Sequence, residues 1–166
     1  EHKGRNNLIK NLVKDLDGNT LVLFNYVEKH GTPLYELINN NVDSARKVFF
    51  VHGGTDVEDR EEVRNLTETE SNAIIVASYG TFSTGINIKR LHNIVFASPS
   101  KSRIRNLQSI GRVLRKGEGK DIATLYDIAD DIGGQNYTLK HLNERVNIYN
   151  NENFKYEVIR VNLRAN

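Results

Sequence analysis

Five short apolar runs punctuate the sequence, and stretches of helical periodicity separate them. The runs are Thr20–Phe24, Val48–Val51, Ala73–Ala77, Ile94–Ala97 and Ile122–Tyr126. Each is apolar along nearly its whole length, which is typical of a strand that is buried on both faces. Strands that alternate with helices form βαβ units, so we predict a mostly parallel sheet with helices on both faces and an α/β fold.

The boundaries of the remaining elements follow from periodicity and from turn residues. Leu8–Leu16 has helical spacing and ends before Asp17-Gly18-Asn19, whereas the polar residues 1–7 are predicted to be a tether. Thr32 is predicted to cap the next helix, with Pro33 at its first position. A helical pattern and then a strand-like run follow the sheet, and we expect residues 137–166 to form a C-terminal appendage.

Composition limits the class of protein and its compartment. The 166 residues are enough for a single domain, residues 1–166, with its own core. There is no cysteine, so disulfides and thiolate metal sites are excluded. No apolar run reaches membrane-spanning length and no signal peptide is recognisable, so we expect a cytoplasmic protein without membrane contact. Methionine is absent even at position 1, which indicates a piece excised from a longer protein.

The most basic part of the chain lies between Lys101 and Lys120, with seven Lys or Arg and the single acid Glu118. The net charge of the whole chain is only +2, so this local cluster is the better indication of an anionic partner. An ordinary solvated helix would explain the cluster equally well.

Gln108–Arg115 reads Gln-Ser-Ile-Gly-Arg-Val-Leu-Arg. If this stretch is helical, Gln108, Arg112 and Arg115 fall within about 60° of one another, at the edge of an apolar arc. Arginines in that position fit a cleft between two packed bodies, where they would bind phosphate. The alternative is that they merely snorkel from a buried face to solvent.

Polar residues follow the predicted strands, at the sheet edge where such folds bind ligands. Asn25 follows the first strand, and His52-Gly53-Gly54-Thr55 follows the second and opens a helix whose free N–H groups could hold phosphate. An ordinary tight turn is the alternative for the two glycines. His52 has no second ligand at a usable spacing, so we predict no metal site.

Four segments resemble conserved blocks of the superfamily-two helicases. Phe24-Asn25-Tyr26 resembles motif IV, His52-Gly53-Gly54-Thr55 resembles the next block, Ala77–Ile88 resembles motif V and Gln108–Arg115 resembles motif VI. Within motif V, Gly85-Ile86-Asn87 matches the usual turn except that Asn87 stands where aspartate is common. The chain is identified as a second, RecA-like domain of this superfamily, and it is most similar to phage DNA helicases related to RecG.

The resemblance implies a role for each matching residue. Arg112 and Arg115 would be catalytic and reach the γ-phosphate of ATP held by a preceding domain. The residues expected to line the nucleotide are Gln108, Gly85 and Asn87. The residues expected to contact the nucleic-acid backbone are Asn25, Gly54, Thr55, Ser78, Tyr79 and Thr81. The spacing within motif V leaves open which of Ser78, Tyr79 and Thr81 contacts the phosphate.

Two helicase motifs are missing from this sequence. It contains no Gly-x-x-x-x-Gly-Lys-Ser/Thr loop and no Asp-Glu-x-His or Asp-Glu-Ala-Asp run. We therefore expect ATP and Mg²⁺ to be held mainly by a preceding RecA-like domain, and this chain to be inactive alone.

The resemblance implies a motor domain of an ATP-dependent helicase that remodels branched or single-stranded DNA in a phage-infected host cell. The alternatives are a non-enzymatic nucleic-acid-binding module of the same architecture and the second domain of an RNA helicase.

Overall fold

A parallel five-stranded sheet organises the molecule. The computed structural model describes residues 2–53, 61, 65, 69–80, 91–97 and 124–128. Its strands are β1 (Thr20–Phe24), β2 (Val48–Val51), β3 (Ile74–Ser78), β4 (Asn93–Phe96) and β5 (Thr124–Asp127). They lie in the order β2-β3-β1-β4-β5, and every neighbouring pair is parallel. The predicted α/β fold and all five predicted strands are confirmed, with shifts of one or two residues at the ends.

The sheet is buried on both faces because its central strands carry apolar side chains on both sides. On one face, Val22, Phe24 and Val76 pack beneath two helices, α1 (His2–Asp15) and α2 (Thr32–Asn41). On the other face, Leu21, Leu23, Val51, Ile75, Ala77, Ile94 and Phe96 form a second buried cluster. Full burial of one such aliphatic side chain is worth about 1.5–3 kcal/mol, so the two clusters supply the main driving force for folding.

The first helix starts earlier than its apolar periodicity indicates. α1 begins at His2, so the predicted tether at residues 1–7 is wrong for residues 2–7. Arg5, Ile9 and Val13 follow one another at intervals of four and are all buried, with Arg5 only 6 % exposed. Residues at that spacing share one helix face, so the stripe that packs on the sheet continues through a charged residue.

The second helix is entered through a π-helix, Val27–Gly31, which the sequence does not predict. Thr32 is the first residue of α2, and the preceding Gly31 is already helical with no side-chain cap. The prediction of Thr32 as the cap is therefore wrong, whereas Pro33 lies in the first turn as expected. Gly31 is buried, and a Cβ atom there would lie 2.4 Å from Cε2 of Phe24. Only a glycine lets this backbone rest directly on the Phe24 ring.

The amino-terminal edge of the sheet is held by hydrogen bonds to Asn19. Its Nδ2 donates to the carbonyl of Glu70 at 2.8 Å, and its Oδ1 accepts the N–H of Ala73 at 2.8 Å. Its backbone N–H donates to Nδ1 of His92 at 3.1 Å. The preceding Gly18 has φ +92°, and a Cβ there would meet the His92 ring at 2.7 Å. These contacts fix the lead-in to β1 against the segments that precede β3 and β4.

Several sequence predictions lie outside the described residues. They are the C-terminal appendage at residues 137–166, the helix at Lys101–Arg115 and most of the helix opened by Thr55. Within the described ranges, no helix has both the length and the apolar character needed to cross a membrane.

Candidate functional site

Three of the predicted segments lie together at the carboxyl-terminal end of the sheet, where the parallel strands finish. In the register, Phe24 pairs with Ser78 and Val51 pairs with Ala77. Asn25 therefore follows β1, Ser78 ends β3 beside it, and His52 leaves β2 on the far side of β3. The chain leaves β1 toward the β2 edge of the sheet and leaves β4 toward the β5 edge. Such a switch in direction opens a crevice at this end of an α/β sheet, where ligands bind.

The segment after β1 places a polar and an aromatic side chain side by side. Asn25 is half-buried, whereas Tyr26 is 62 % exposed. The carbonyl of Tyr26 accepts the N–H groups of both His30, at 3.0 Å, and Gly31, at 2.9 Å. The π-helix that follows contacts β1 and β3. The backbone of Asn25 and Tyr26 is thus anchored to the sheet on the side where β3 ends.

In the segment after β3, two of the three residues proposed to contact phosphate differ in their surroundings. Ser78 is the last residue of β3 and is 9 % exposed. Tyr79 is 3 % exposed, and its ring packs against Phe96 with the ring centroids 5.6 Å apart. The Tyr79 ring therefore belongs to the hydrophobic core, whereas Ser78 lies at the edge of the sheet. Thr81, the third alternative, lies outside the described residues.

In the segment after β2, the His52 ring packs against Phe50 and the exposed Gly53 follows directly. The His52 ring lies 5.1 Å from that of Phe50, which also stacks on Tyr35 at 5.0 Å and on Phe24 at 5.7 Å. Gly53 is exposed, and no described atom outside its chain neighbours lies within 4 Å of the position of an added Cβ. Gly54 and Thr55 lie outside the described residues.

The structure leaves the nucleotide side of the prediction untested. Gly85, Asn87, Gln108, Arg112 and Arg115 all lie outside the described residues, so their assigned roles remain predictions. In the part of the chain that is described, no group of three or more His, Cys, Asp or Glu side chains is arranged to hold a metal ion.

Two residues with marked structural positions were not assigned a role from the sequence. Tyr26 is exposed at the candidate edge, and the only signal for it is an aromatic residue directly after Asn25. Arg46 lies at the amino-terminal end of the sheet, where it donates hydrogen bonds to several main-chain carbonyls. Nothing in the local sequence marks Arg46, since its partners lie 26 or more positions away.

Similarity to known proteins agrees with this architecture. Residues 4–117 match the family model of the helicase conserved C-terminal domain. The chain is 43 % identical over 160 residues to the ATP-dependent DNA helicase uvsW of Enterobacteria phage T4, covering 89 % of this chain and 31 % of that protein. It is 30 % identical over 130 residues to the putative ATP-dependent RNA helicase L396 of Acanthamoeba polyphaga mimivirus, covering 77 % and 23 %. The chain thus spans a third or less of these relatives.

Solved structures give the same result. The crystal structure of T4 UvsW matches with a TM-score of 0.80 and 42 % identity, covering 97 % of this chain and 35 % of that one. Domain 2 of the DEAD-box helicase Mss116p matches with a TM-score of 0.67 at 15 % identity, covering 90 % and 56 %, which shows the fold alone. With its parallel sheet and a family match over most of its length, the chain belongs to the helicase conserved C-terminal domain family and is a RecA-like domain of a superfamily-two helicase.

Proposed function

We propose that this chain is the second motor domain of an ATP-dependent DNA helicase or translocase that remodels branched DNA in recombination, repair or replication restart. The observation that carries the proposal is the 43 % identity to the T4 DNA helicase over 89 % of the chain. The place of action we propose is the cytoplasm of a phage-infected bacterium. A second candidate is an RNA helicase domain, which the 30 % identity to the mimivirus protein supports less strongly.

ATP and Mg²⁺ would bind between this domain and a preceding RecA-like domain of the same polypeptide. Arg112 and Arg115 would neutralise the charge that develops on the transferred phosphoryl group, while Gln108, Gly85 and Asn87 would line the nucleotide. The phosphate loop and the metal-binding acids are absent from this sequence, so the preceding domain would supply them. Closure of the cleft on ATP binding would then move one domain relative to the other along the nucleic acid.

The nucleic-acid backbone would be held at the carboxyl edge of the sheet by Asn25, Ser78 and the main chain around Gly54 and Thr55. The positions of Asn25 and Ser78 on adjacent strands support this assignment. Burial of the Tyr79 ring favours Ser78 over Tyr79 for the phosphate contact, with Thr81 as the remaining alternative. Contacts of this kind fix the position of a strand without reading its sequence, as a translocating motor needs.

ATP turnover should require the preceding domain as well as this chain. We expect this chain alone to release no phosphate above background when it is incubated with ATP, Mg²⁺ and saturating single-stranded DNA, because half of the catalytic site is missing. Phosphate release can be measured before and after repurification of the protein. Turnover that persists at constant specific activity through repurification would contradict the assignment of the phosphate loop to another domain.

Binding of this chain to nucleic acid should be weak and dominated by phosphate contacts. We expect a dissociation constant of about 10⁻⁴–10⁻⁶ M at physiological salt, and a linear fall of log affinity with log salt concentration. Unrelated DNA sequences of equal length should bind equally, because the proposed contacts reach phosphate and not base edges. Fluorescence anisotropy titrations over a salt series measure both properties. A strong preference for one sequence at constant salt would argue against a translocating grip.

A further inference from the structure

An exposed aromatic ring lies next to the proposed phosphate contacts. Among the residues that the structure describes, Tyr26 is the large hydrophobic side chain that remains exposed, at 62 %. The other rings near this edge are covered: Phe24 and Phe96 are buried, and Phe50 stacks between Phe24 and Tyr35. Among the described Phe and Tyr residues at this end of the sheet, Tyr26 is therefore the ring that presents an apolar face to a ligand.

Hydrogen bonds anchor the backbone of Tyr26, and its ring contacts a neighbouring ring. Two N–H groups, of His30 and Gly31, converge on its carbonyl oxygen. Gly31 rests in turn on the Phe24 ring within the core. The His30 ring meets the Tyr26 ring edge-on, with centroids 5.8 Å apart. The anchored backbone and the edge-on contact with His30 limit the positions of the ring, which lowers the conformational entropy lost when a ligand stacks on it.

The position of Tyr26 suits a nucleic-acid strand. Asn25 precedes it directly, and the π-helix that follows it contacts β3, the strand that Ser78 ends. A strand whose phosphates were bound by Asn25 and Ser78 would carry a base within reach of the neighbouring ring. A protein partner fits less well, because one aromatic side chain buries about 150–250 Å². A stable protein interface needs about 800 Å² from each partner, whereas a single base needs no more than the one ring.

We propose that Tyr26 stacks on an unpaired base of the strand whose backbone is held by Asn25 and Ser78. This inference rests on the proposed nucleic-acid function and adds to it a contact with the base. Stacking on an aromatic ring tolerates every base, since each base has a π-face. Tyr26 would therefore contribute affinity without sequence preference and would act on single strands and not on duplexes. The stacked base would also mark a fixed position along the strand.

The test combines Tyr26→Ala with oligothymidylates of the shortest length that binds, each of which carries one abasic site at a different position. We expect wild-type affinity at low salt to fall about 5- to 150-fold when the abasic site occupies one particular position. On the intact strand, the affinity of Tyr26→Ala should be lower than that of wild type by the same factor. An abasic site at that position should not lower the affinity of Tyr26→Ala any further. Tyr26→Phe, which keeps the ring, should bind within about twofold of wild type. The same pattern should appear with oligouridylate, because stacking does not use the 2′-hydroxyl.

Lys29→Ala is the matched control, because Lys29 is exposed in the same π-helix. Removal of its positive charge should affect intact and abasic strands by the same factor, since both carry the same phosphates. Thermal melting of each variant confirms that the fold is retained. An abasic penalty that persists in Tyr26→Ala, or a Tyr26→Ala affinity equal to wild type, would overturn the stacking proposal alone. If wild type shows no salt-sensitive binding to any strand, the nucleic-acid function itself fails.

Discussion

Replacement of Arg112 or Arg115 by alanine should lower ATP hydrolysis by about 10³-fold or more in the longer helicase that we propose contains this chain. If Gln108–Arg115 is helical, as the sequence predicts, these two residues, three positions apart, would share one face and could reach a single phosphoryl group. Their guanidiniums would balance charge that develops mainly in the transition state, so their loss should lower kcat more than it raises KM. Steady-state phosphate release at saturating DNA measures the effect. Arg112→Lys should rescue poorly, because a point charge cannot replace a planar, bidentate donor.

The same variants separate the motor from the non-enzymatic alternative. DNA binding without nucleotide should change little, because that contact is assigned to the loops after β1, β2 and β3. A scaffold that used the basic helix as its binding surface would show the reverse, with DNA affinity lost and ATP turnover retained. Parallel ATPase and DNA-binding titrations, with thermal melts to exclude unfolding, distinguish the two. ATP turnover within about twofold of wild type, together with a collapse of DNA binding, would mean that the arginines do not act on the transferred phosphoryl group of ATP.

The three central strands, β1, β3 and β4, were predictable from sequence because they are buried along their whole length. Every residue of Thr20–Phe24 is buried, so the apolar run and the strand coincide. A parallel sheet follows from the alternation of strands with helices, whereas the order of the strands does not. β1 lies between β3 and β4 because two crossovers skip a strand, and no local residue pattern encodes that choice.

The errors have physical causes that local sequence patterns do not capture. Arg5 lies on the buried stripe of α1. A periodicity search restricted to apolar residues therefore places the start of the helix too late in the sequence. The π-helix depends on Gly31 packing against Phe24, a contact between elements. The predicted phosphate contact of Tyr79 stays a prediction, but the burial of its ring could have been anticipated, because Tyr79 is two positions beyond Ala77 and the alternation of a strand places both on one buried face.

The segments that form the polar site were predictable from sequence, but their arrangement in space was not. Asn25, His52 and Ser78 each follow a strand in the sequence, and parallel strands necessarily bring their carboxyl ends to one edge. That Asn25 and Ser78 leave directly paired strands depends on the strand order, which the sequence pattern does not reveal.

Arg46 should have the largest effect on stability among the described polar residues for which the hydrogen bonds are known. Its guanidinium donates to the carbonyls of Val13 at 3.0 Å, Leu16 at 2.8 Å and Gly18 at 3.5 Å, all partly buried. It also donates to the carbonyls of Lys14 and Asn72 near the surface. Burial lowers the pKa of Arg46 and the Asp17 carboxylate partly opposes this, but a guanidinium stays charged at neutral pH. Arg46 thus provides hydrogen-bond donors and positive charge at the carboxyl end of α1.

Replacement of Arg46 by alanine is expected to lower the free energy of unfolding by about 2–4 kcal/mol, at roughly 1 kcal/mol for each partly buried carbonyl left without its donor. For a domain of this size each kcal/mol lowers Tm by about 2–4 °C, so thermal and urea unfolding both resolve the loss. Arg46→Lys should recover less than half of it, since an ammonium cannot span carbonyls on two segments.

Lys47→Ala is the control for charge, because Lys47 is adjacent and the contact described for its side chain is a surface ion pair with Glu70. That variant should lose about 1 kcal/mol or less. Equal losses for Arg46→Ala and Lys47→Ala would show that the carbonyl contacts contribute nothing beyond surface charge. Arg46 lies at the amino-terminal edge of the sheet, opposite Asn25 and Ser78. Below its lowered Tm, Arg46→Ala should therefore bind DNA like wild type, because the hydrogen bonds of Arg46 and the proposed nucleic-acid contacts lie at opposite ends of the strands.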